Sequence, residues 1–170
     1  MLEIFKVLNI LGGLEIMLSI FLVAFCIFYF LKYREDAFLI IYSFVPAVAI
    51  TVILKFLFKI PRPEDALISI TGYRFPSGHA TMAAVFSVLI IYLSHKYIFG
   101  HKNEKRYWEL TIIILALAWL VLMAYSRVYL NVHNVLDVVV GAAIGIVSTV
   151  IGIMVESKLK RKEFKSKQYF

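Results

Sequence analysis

Lys55, Arg62, His79, Arg127, His133 and Asp137 are the residues of this chain whose types and spacing can do chemistry. They stand in three groups. Lys55 is followed, after six residues, by Arg62-Pro63. Pro76-Ser77-Gly78-His79 is a continuous run, and Ser126-Arg127 is followed by His133 after five residues and by Asp137 after three more. Three cations can bind an oxyanion. Two imidazoles can attack or carry a proton, and a carboxylate can orient one of them. Those are the parts of a phosphate-transfer site, where catalysis is mostly positioning and charge neutralisation.

Each group also has a plainer explanation. Lys55 and Arg62 lie about two helical turns apart, but Pro61 and Pro63 predict that the helix ends near Phe58 or Lys59, with Arg62 reaching back from a rigid turn. Snorkelling at the membrane edge accounts for Lys59; Lys55, one turn deeper, is better explained by a bound anion. Pro76 to His79 reads as a capped helix start, with Ser77 as cap and Gly78 admitting a ligand to the backbone, where free N–H groups favour an anion. The plain alternative there is a structural histidine. His133 and Asp137, four apart, share one face at the start of a helix, where a carboxylate fixes the tautomer of the imidazole and leaves its other nitrogen free. The same spacing suits a metal, which three nearby cations would repel. Asp137 as a favourable N-terminal helix charge is the remaining alternative.

The elements that must carry these residues are read from hydropathy. Five apolar stretches, roughly Leu14–Leu31, Ala37–Phe58, His79–Phe99, Leu110–Tyr125 and Val135–Val155, are long enough or nearly so to cross about 30 Å of hydrocarbon. His95 and Lys96 interrupt the third near its end, where both can snorkel. Met1 to Gly13 predicts a helix lying in the interface. The first long stretch runs into Lys32-Tyr33-Arg34 without a small-residue cleavage pattern, so it is read as a retained span and not as a signal peptide. The expected fold is an all-α, polytopic membrane bundle of about five spans, a single domain over residues 1–170.

Composition agrees. The chain is 62% hydrophobic with a mean hydropathy of +0.86, against about 45–50% apolar residues in soluble domains. The net charge of +7 does not indicate nucleic acid, because the Lys and Arg residues lie between the apolar stretches and at the C-terminus. Cys26 is the single cysteine, so no internal disulfide exists. With the C-terminus in the cytoplasm, 12 of the 18 Lys and Arg residues are inside, among them those of a basic tail over residues 158–170 suited to anionic headgroups. Lys6, Lys55, Lys59, Arg62, Arg74 and Arg127 are then outside, and three of these six belong to the polar groups. Glu15, on that outer side, is expected to snorkel or to pair with a cation such as Lys55.

The three groups together resemble the signature of the type 2 phosphatidic acid phosphatase superfamily, membrane lipid phosphatases and their relatives. The resemblance covers Lys55 to Asp137 in motif and the whole chain in hydropathy. It implies that His133 attacks phosphorus to form a phosphohistidine, that Asp137 supports it and that His79 protonates the leaving oxygen. Lys55, Arg62, Ser77, Gly78 and Arg127 then bind the phosphate, with neither metal nor cofactor. Relatives commonly carry Gly before the nucleophilic His and a Tyr-Pro-like pair after it. This chain reads Asn131-Val132 and Asn134-Val135 there, where Asn134 can cap the last span with Asp137 in its first turn. The linker Glu64 to Phe75 is short, which limits any lid.

The layout looks like the bacitracin-resistance undecaprenyl diphosphatases, which implies a polyprenyl diphosphate cleaved to the monophosphate within the bilayer. Phosphatidylglycerophosphate and phosphatidic acid are alternatives. So are a phosphotransferase passing phosphate from a lipid to another headgroup, and a non-enzymatic bundle that binds anionic lipid. No nucleic-acid partner is expected. The charge distribution predicts a site on the extracytoplasmic face. In intact cells of a Cys26-free variant, new cysteines near Asp65 should react with an impermeant reagent and those near Lys165 should not; the reverse pattern would invert the topology.

Overall fold

Among the described residues six α-helices account for the apolar stretches. They are α1 (Leu2–Leu11), α2 (Leu14–Phe30), α3 (Arg34–Phe58), α4 (Gly78–Ser94), α5 (Arg106–Tyr129) and α6 (Val135–Gln168). These come from a computed structural model that describes residues 2–99 and 106–168. α3, α5 and α6 extend beyond the stretches that predict them, whereas α2 ends one residue early and α4 ends at Ser94. Lys102 and Lys105 of the charge count, residues 169–170 of the tail and the side chains of 162–168 lie outside the described residues. The backbone of the basic stretch simply continues α6 as far as Gln168.

Among the described residues four helices are long and apolar enough to cross a membrane: α3, α4 with its extension to Ile98, α5, and α6 to Arg161. The pair α1 and α2 bends by 46° at Gly12-Gly13, and it makes a fifth span if counted as one. The protein is therefore a multi-pass, all-α membrane bundle, as its hydropathy predicts. Many large side chains that face outward are apolar, among them Leu22, Phe56, Ile114 and Val121, as a lipid-facing surface requires.

Turn chemistry sets the boundaries. After α2, Lys32 adopts a left-handed conformation (φ 67°) while its N–H donates to the Tyr29 carbonyl and that of Tyr33 to Phe28, a Schellman closure. α3 then opens with Glu35 and Asp36 against the positive end of its dipole. It stops at Phe58, where Lys59 turns left-handed (φ 48°) ahead of the two prolines.

α6 runs along α3 and α4, α4 also packs on α5, and α2 lies on α3. Two glycines let α6 come so close. A Cβ at Gly145 would stand 2.7 Å from the Ala84 Cβ, and one at Gly141 would meet the Ser77 carbonyl oxygen and lie 3.2 Å from Thr81 Oγ1. Small residues four apart are what helices packed in lipid use to bring backbones together. One core cluster joins α2, α3 and α4 through Phe21, Leu39, Ile40 and Val85. A second joins α1 to α4, α5 and the following loop through Phe5, Leu8, Ala83, Met123, Leu130 and Val132.

One sequence expectation fails here. Lys96 does not snorkel. The helix widens into a π-helical turn over His95–Phe99, and Lys96 turns inward onto Asp36 of α3 and Glu156 of α6, both buried. Tyr97 also donates to Asp36, and Lys160 pairs with Glu156. The reason is that two facing carboxylates inside the bundle are more costly to leave unpaired than a lysine is to bury beside them. His95 meets Glu109 of α5 at 2.6 Å. Lys96→Ala should therefore destabilise the bundle by about 3 kcal/mol, measured as a lower thermal midpoint in detergent. Tyr97→Phe, which removes one hydroxyl, should cost less.

Candidate active site

The close approach of α4 and α6 joins the second and third polar groups directly. Ser77 caps α4, its hydroxyl accepting from the Ala80 N–H at 3.5 Å, and its own N–H donates to the Asp137 carbonyl at 2.9 Å. Asp137 is the third residue of α6 and Asn134 its cap. The Asn134 N–H donates to Asp137 Oδ2 at 3.0 Å, and the Asp137 N–H donates to Asn134 Oδ1 at 2.8 Å. This reciprocal capping fixes the carboxylate. Asn131 supplies the turn that precedes it, in a left-handed conformation (φ 52°) that asparagine tolerates better than most residues.

Arg127 anchors that turn from the end of α5. Its carbonyl oxygen accepts the N–H groups of Val132 and His133 at 3.2 and 3.3 Å. His133 is thereby held above α6, with Nδ1 3.5 Å from Asp137 Oδ2, within ion-pair distance but not hydrogen-bonded. Its Nε2 lies 3.4 Å from Arg62 Nη1. A guanidinium has no acceptor. Nε2 therefore carries the lone pair, facing Arg62, and Nδ1 the proton that faces Asp137.

Arg62 also donates to the Gly72 carbonyl from Nε (3.1 Å) and to the Val132 carbonyl from Nη1 (3.2 Å). Lys55 Nζ donates to the carbonyls of Tyr73 (2.6 Å) and Arg74 (3.3 Å). Residues 72–74 thus fold back over Lys55 and Arg62. Gly78 opens α4 with nothing within 4 Å of where a Cβ would sit. His79 follows, 2.9 Å from the Asn9 carbonyl. The structure brings all eight sequence-derived candidates, Lys55, Arg62, Ser77, Gly78, His79, Arg127, His133 and Asp137, into one contact network. Lys59 is exposed, and Glu15 is exposed with no ion pair among the described residues, which fits snorkelling and not a pair with Lys55.

Two residues went unread in the sequence. Arg74 places Nε 3.7 Å from Asp137 Oδ2. Its only sequence signal is that it is one of the few basic residues assigned to the outer side. Asn9 of α1 accepts from Arg127 Nη1 at 2.7 Å. No spacing rule points to it. Buried side-chain polar atoms without a protein partner concentrate here: Arg74 Nε, Arg127 Nη2 and His133 Nδ1. Unsatisfied donors on cations are costly unless an anion meets them.

Electrostatics follow from this crowding. Burial pushes the His133 imidazole down from its ordinary 6.5 to about 2, and Arg62 and Lys55 push in the same direction. Burial also lowers Arg62, while Asp137 opposes that shift. Among the described residues no three His, Cys, Asp or Glu side chains are grouped to hold a metal. Beside Lys55 and His79 an apolar cleft of about 260 Å³ opens between α2, α3 and α4, walled by Leu14, Val48, Val52 and Met82. Its walls suit a hydrocarbon chain whose head reaches the cations.

The model of the PAP2 superfamily matches residues 36–161. Phosphatidylglycerophosphatase B of Bacillus subtilis is 29% identical over 161 residues, covering 94% of this chain and 77% of that protein. An undecaprenyl-diphosphatase of Sulfolobus acidocaldarius is 28% identical over 174 residues, 91% of this chain and 78% of its own length. Among solved structures, the transmembrane PAP2 type phosphatidylglycerolphosphate phosphatase from Bacillus subtilis superposes with a TM-score of 0.79 at 27% identity, covering 94% of this chain and 78% of that one. Aquifex aeolicus LpxE gives 0.67 at 29% identity, covering 89% and 84%.

A neutral His133 has a consequence for pH dependence. Protonation would remove the lone pair that the family resemblance assigns to attack, and its lowered value moves that loss to lower pH. The acid limb of kcat/KM for phosphate-ester hydrolysis, corrected for titration of the substrate, should lie well below the ordinary histidine value of about 6.5. A limb centred on the ordinary value would mean that His133 titrates as a free imidazole.

Proposed function

We infer that this chain, which belongs to the PAP2 superfamily and is a membrane lipid phosphatase, cleaves its substrate through a covalent phosphohistidine at His133. The observation that carries the reading is the Arg62 guanidinium 3.4 Å from His133 Nε2, with Arg127 Nη2 buried and unpartnered. Nε2 attacks phosphorus as the bond to the bridging oxygen breaks, and His79 gives that oxygen a proton. Asp137 steadies the imidazole as it acquires charge. Lys55, Arg62, Arg127, Ser77 and the backbone at Gly78 hold the phosphoryl oxygens, where charge develops. His79, now neutral, takes a proton from water, and the resulting attack splits the phosphorus–nitrogen bond and frees phosphate. The cations supply the charge neutralisation, so no metal is assigned a step.

For the substrate, we favour a polyprenyl diphosphate cleaved to the monophosphate. A relative named for that activity aligns with 91% of this chain, and Arg74 adds a cation beside the site for a second phosphate. The alternative is phosphatidylglycerophosphate, favoured by the likeness to the Bacillus subtilis phosphatase in sequence and structure. Either lipid would lay its chain in the cleft below Lys55. The extracytoplasmic orientation is also proposed. With Arg74 at the site, four of the six outer basic residues (Lys55, Arg62, Arg74 and Arg127) have a chemical reason to oppose the positive-inside bias.

Phosphate release by purified protein in detergent, with undecaprenyl diphosphate, phosphatidylglycerophosphate and phosphatidic acid compared by kcat/KM, tests both layers. The diphosphate should lead, and a preference for either monoester would replace it. His133→Ala and His79→Ala should each lower kcat about 10²-fold or more, with thermal midpoints preserved. Near-normal turnover by a folded His133→Ala protein would end the phosphohistidine mechanism. Activity lost on EDTA treatment and restored by Mg²⁺ would make His133 and Asp137 metal ligands instead.

A further inference from the structure

The short N-terminal helix enters the site. Phe5 and Leu8 are buried against α4, α5 and the turn before His133. Glu3 and Lys6 pair with each other on the outer side at 2.8 Å. At the elbow the backbone touches the proposed acid: a Cβ on Gly12 would stand 2.9 Å from His79 Cδ2 and 2.8 Å from Met123 Sδ. Between these contacts lies Asn9, which makes two bonds to two site residues. Its side-chain Oδ1 accepts from Arg127 Nη1 at 2.7 Å, and its carbonyl oxygen lies 2.9 Å from His79 Nε2.

We propose that Asn9 is a positioning residue of the phosphatase reading above, setting the guanidinium of Arg127 with its side chain and the ring of His79 with its backbone. Arg127 is fully buried, and its Nε donates to Ser126 Oγ at 3.1 Å. With Nε and Nη1 both committed, the guanidinium plane is fixed and Nη2 is the donor left for a phosphoryl oxygen. A carbonyl only accepts, so His79 Nε2 carries a proton and Nδ1 is the nitrogen that exchanges the catalytic one. The amide matters as much as the reach. Asn9 holds Arg127 without cancelling its charge, whereas a carboxylate there would make the same bond and compete with the phosphate.

That difference separates positioning from mere structure. Asn9→Ala should raise KM and the inhibition constant for orthovanadate at least about tenfold, the worth of one hydrogen bond to a charged group, with a smaller change in kcat because the backbone bond to His79 survives. Asn9→Asp should keep or raise the thermal midpoint and still weaken vanadate at least as much, an outcome no packing role produces. Lys6→Ala, on the solvent side of the same helix, should match the parent. Asn9→Asp binding vanadate within twofold of the parent would overturn the proposal, and that variant decides alone if Asn9→Ala does not fold. Vanadate binding is also read by calorimetry. Inactivity of the parent protein towards every lipid phosphate would then sink the phosphatase reading while the anion affinities still judge Asn9.

Discussion

The contact on which the rest depends is the meeting of α4 and α6 at their N-termini. Ser77 donates its backbone N–H to the carbonyl of Asp137, and Gly141 lies where any side chain would strike the Ser77 oxygen. Two helix starts are therefore stacked with their free N–H groups and positive dipole ends together. Such an arrangement repels itself. It is held by the backbone bond, by the reciprocal capping of Asn134 and Asp137, and by the close packing that Gly141 and Gly145 permit. Three further candidates are placed relative to this junction: His133 by the turn that enters α6, His79 by the first turn of α4, and Arg127 by the carbonyl that receives that turn.

The two ends of the bundle treat charge in opposite ways. At the far end Asp36 and Glu156 are matched by Lys96 and Lys160, and Tyr97 adds a further bond. At the site end Lys55, Arg62 and Arg127 crowd His133 and Arg74 stands beside Asp137, and two of those guanidiniums keep buried donors unpartnered. Balanced charge inside a bundle contributes to a unique arrangement of helices. Unbalanced charge costs stability, and it is the condition an anion relieves. α6 carries both, with Asp137 near one end and Glu156 towards the other, so one helix links the stabilising cluster to the strained one.

Much of this was legible in the sequence because membrane helices are long apolar runs and because the polar groups are local in sequence. Pro61 and Pro63 forecast the stop at Phe58, and Asn134 with Asp137 forecast the cap of α6, since both are effects of near neighbours. What escaped depends on distant partners. Lys96 looked free to snorkel because the carboxylates that hold it are 60 residues away in either direction. Asn9 lies 118 residues from Arg127, in a segment read only as an interfacial helix. Arg74 falls in no periodic pattern, and its place beside Asp137 follows from how the chain after α3 turns back. Periodicity and capping report on neighbours in the chain, whereas these three contacts are made by the fold.

On the phosphate-binding roles proposed for Lys55 and Arg62, the backbone carbonyls that hold them give the site a way to let go. Tyr73, Arg74, Gly72 and Val132 offer oxygens to the same donors that a phosphoryl group would use. A departing phosphate would leave those two cations with neutral dipoles close by, not bare in a low-dielectric cavity. Its exit is an exchange of one set of oxygens for another. An anion site made only of unpartnered cations would cling to its product; one with resident carbonyls at hand has a built-in competitor that favours turnover.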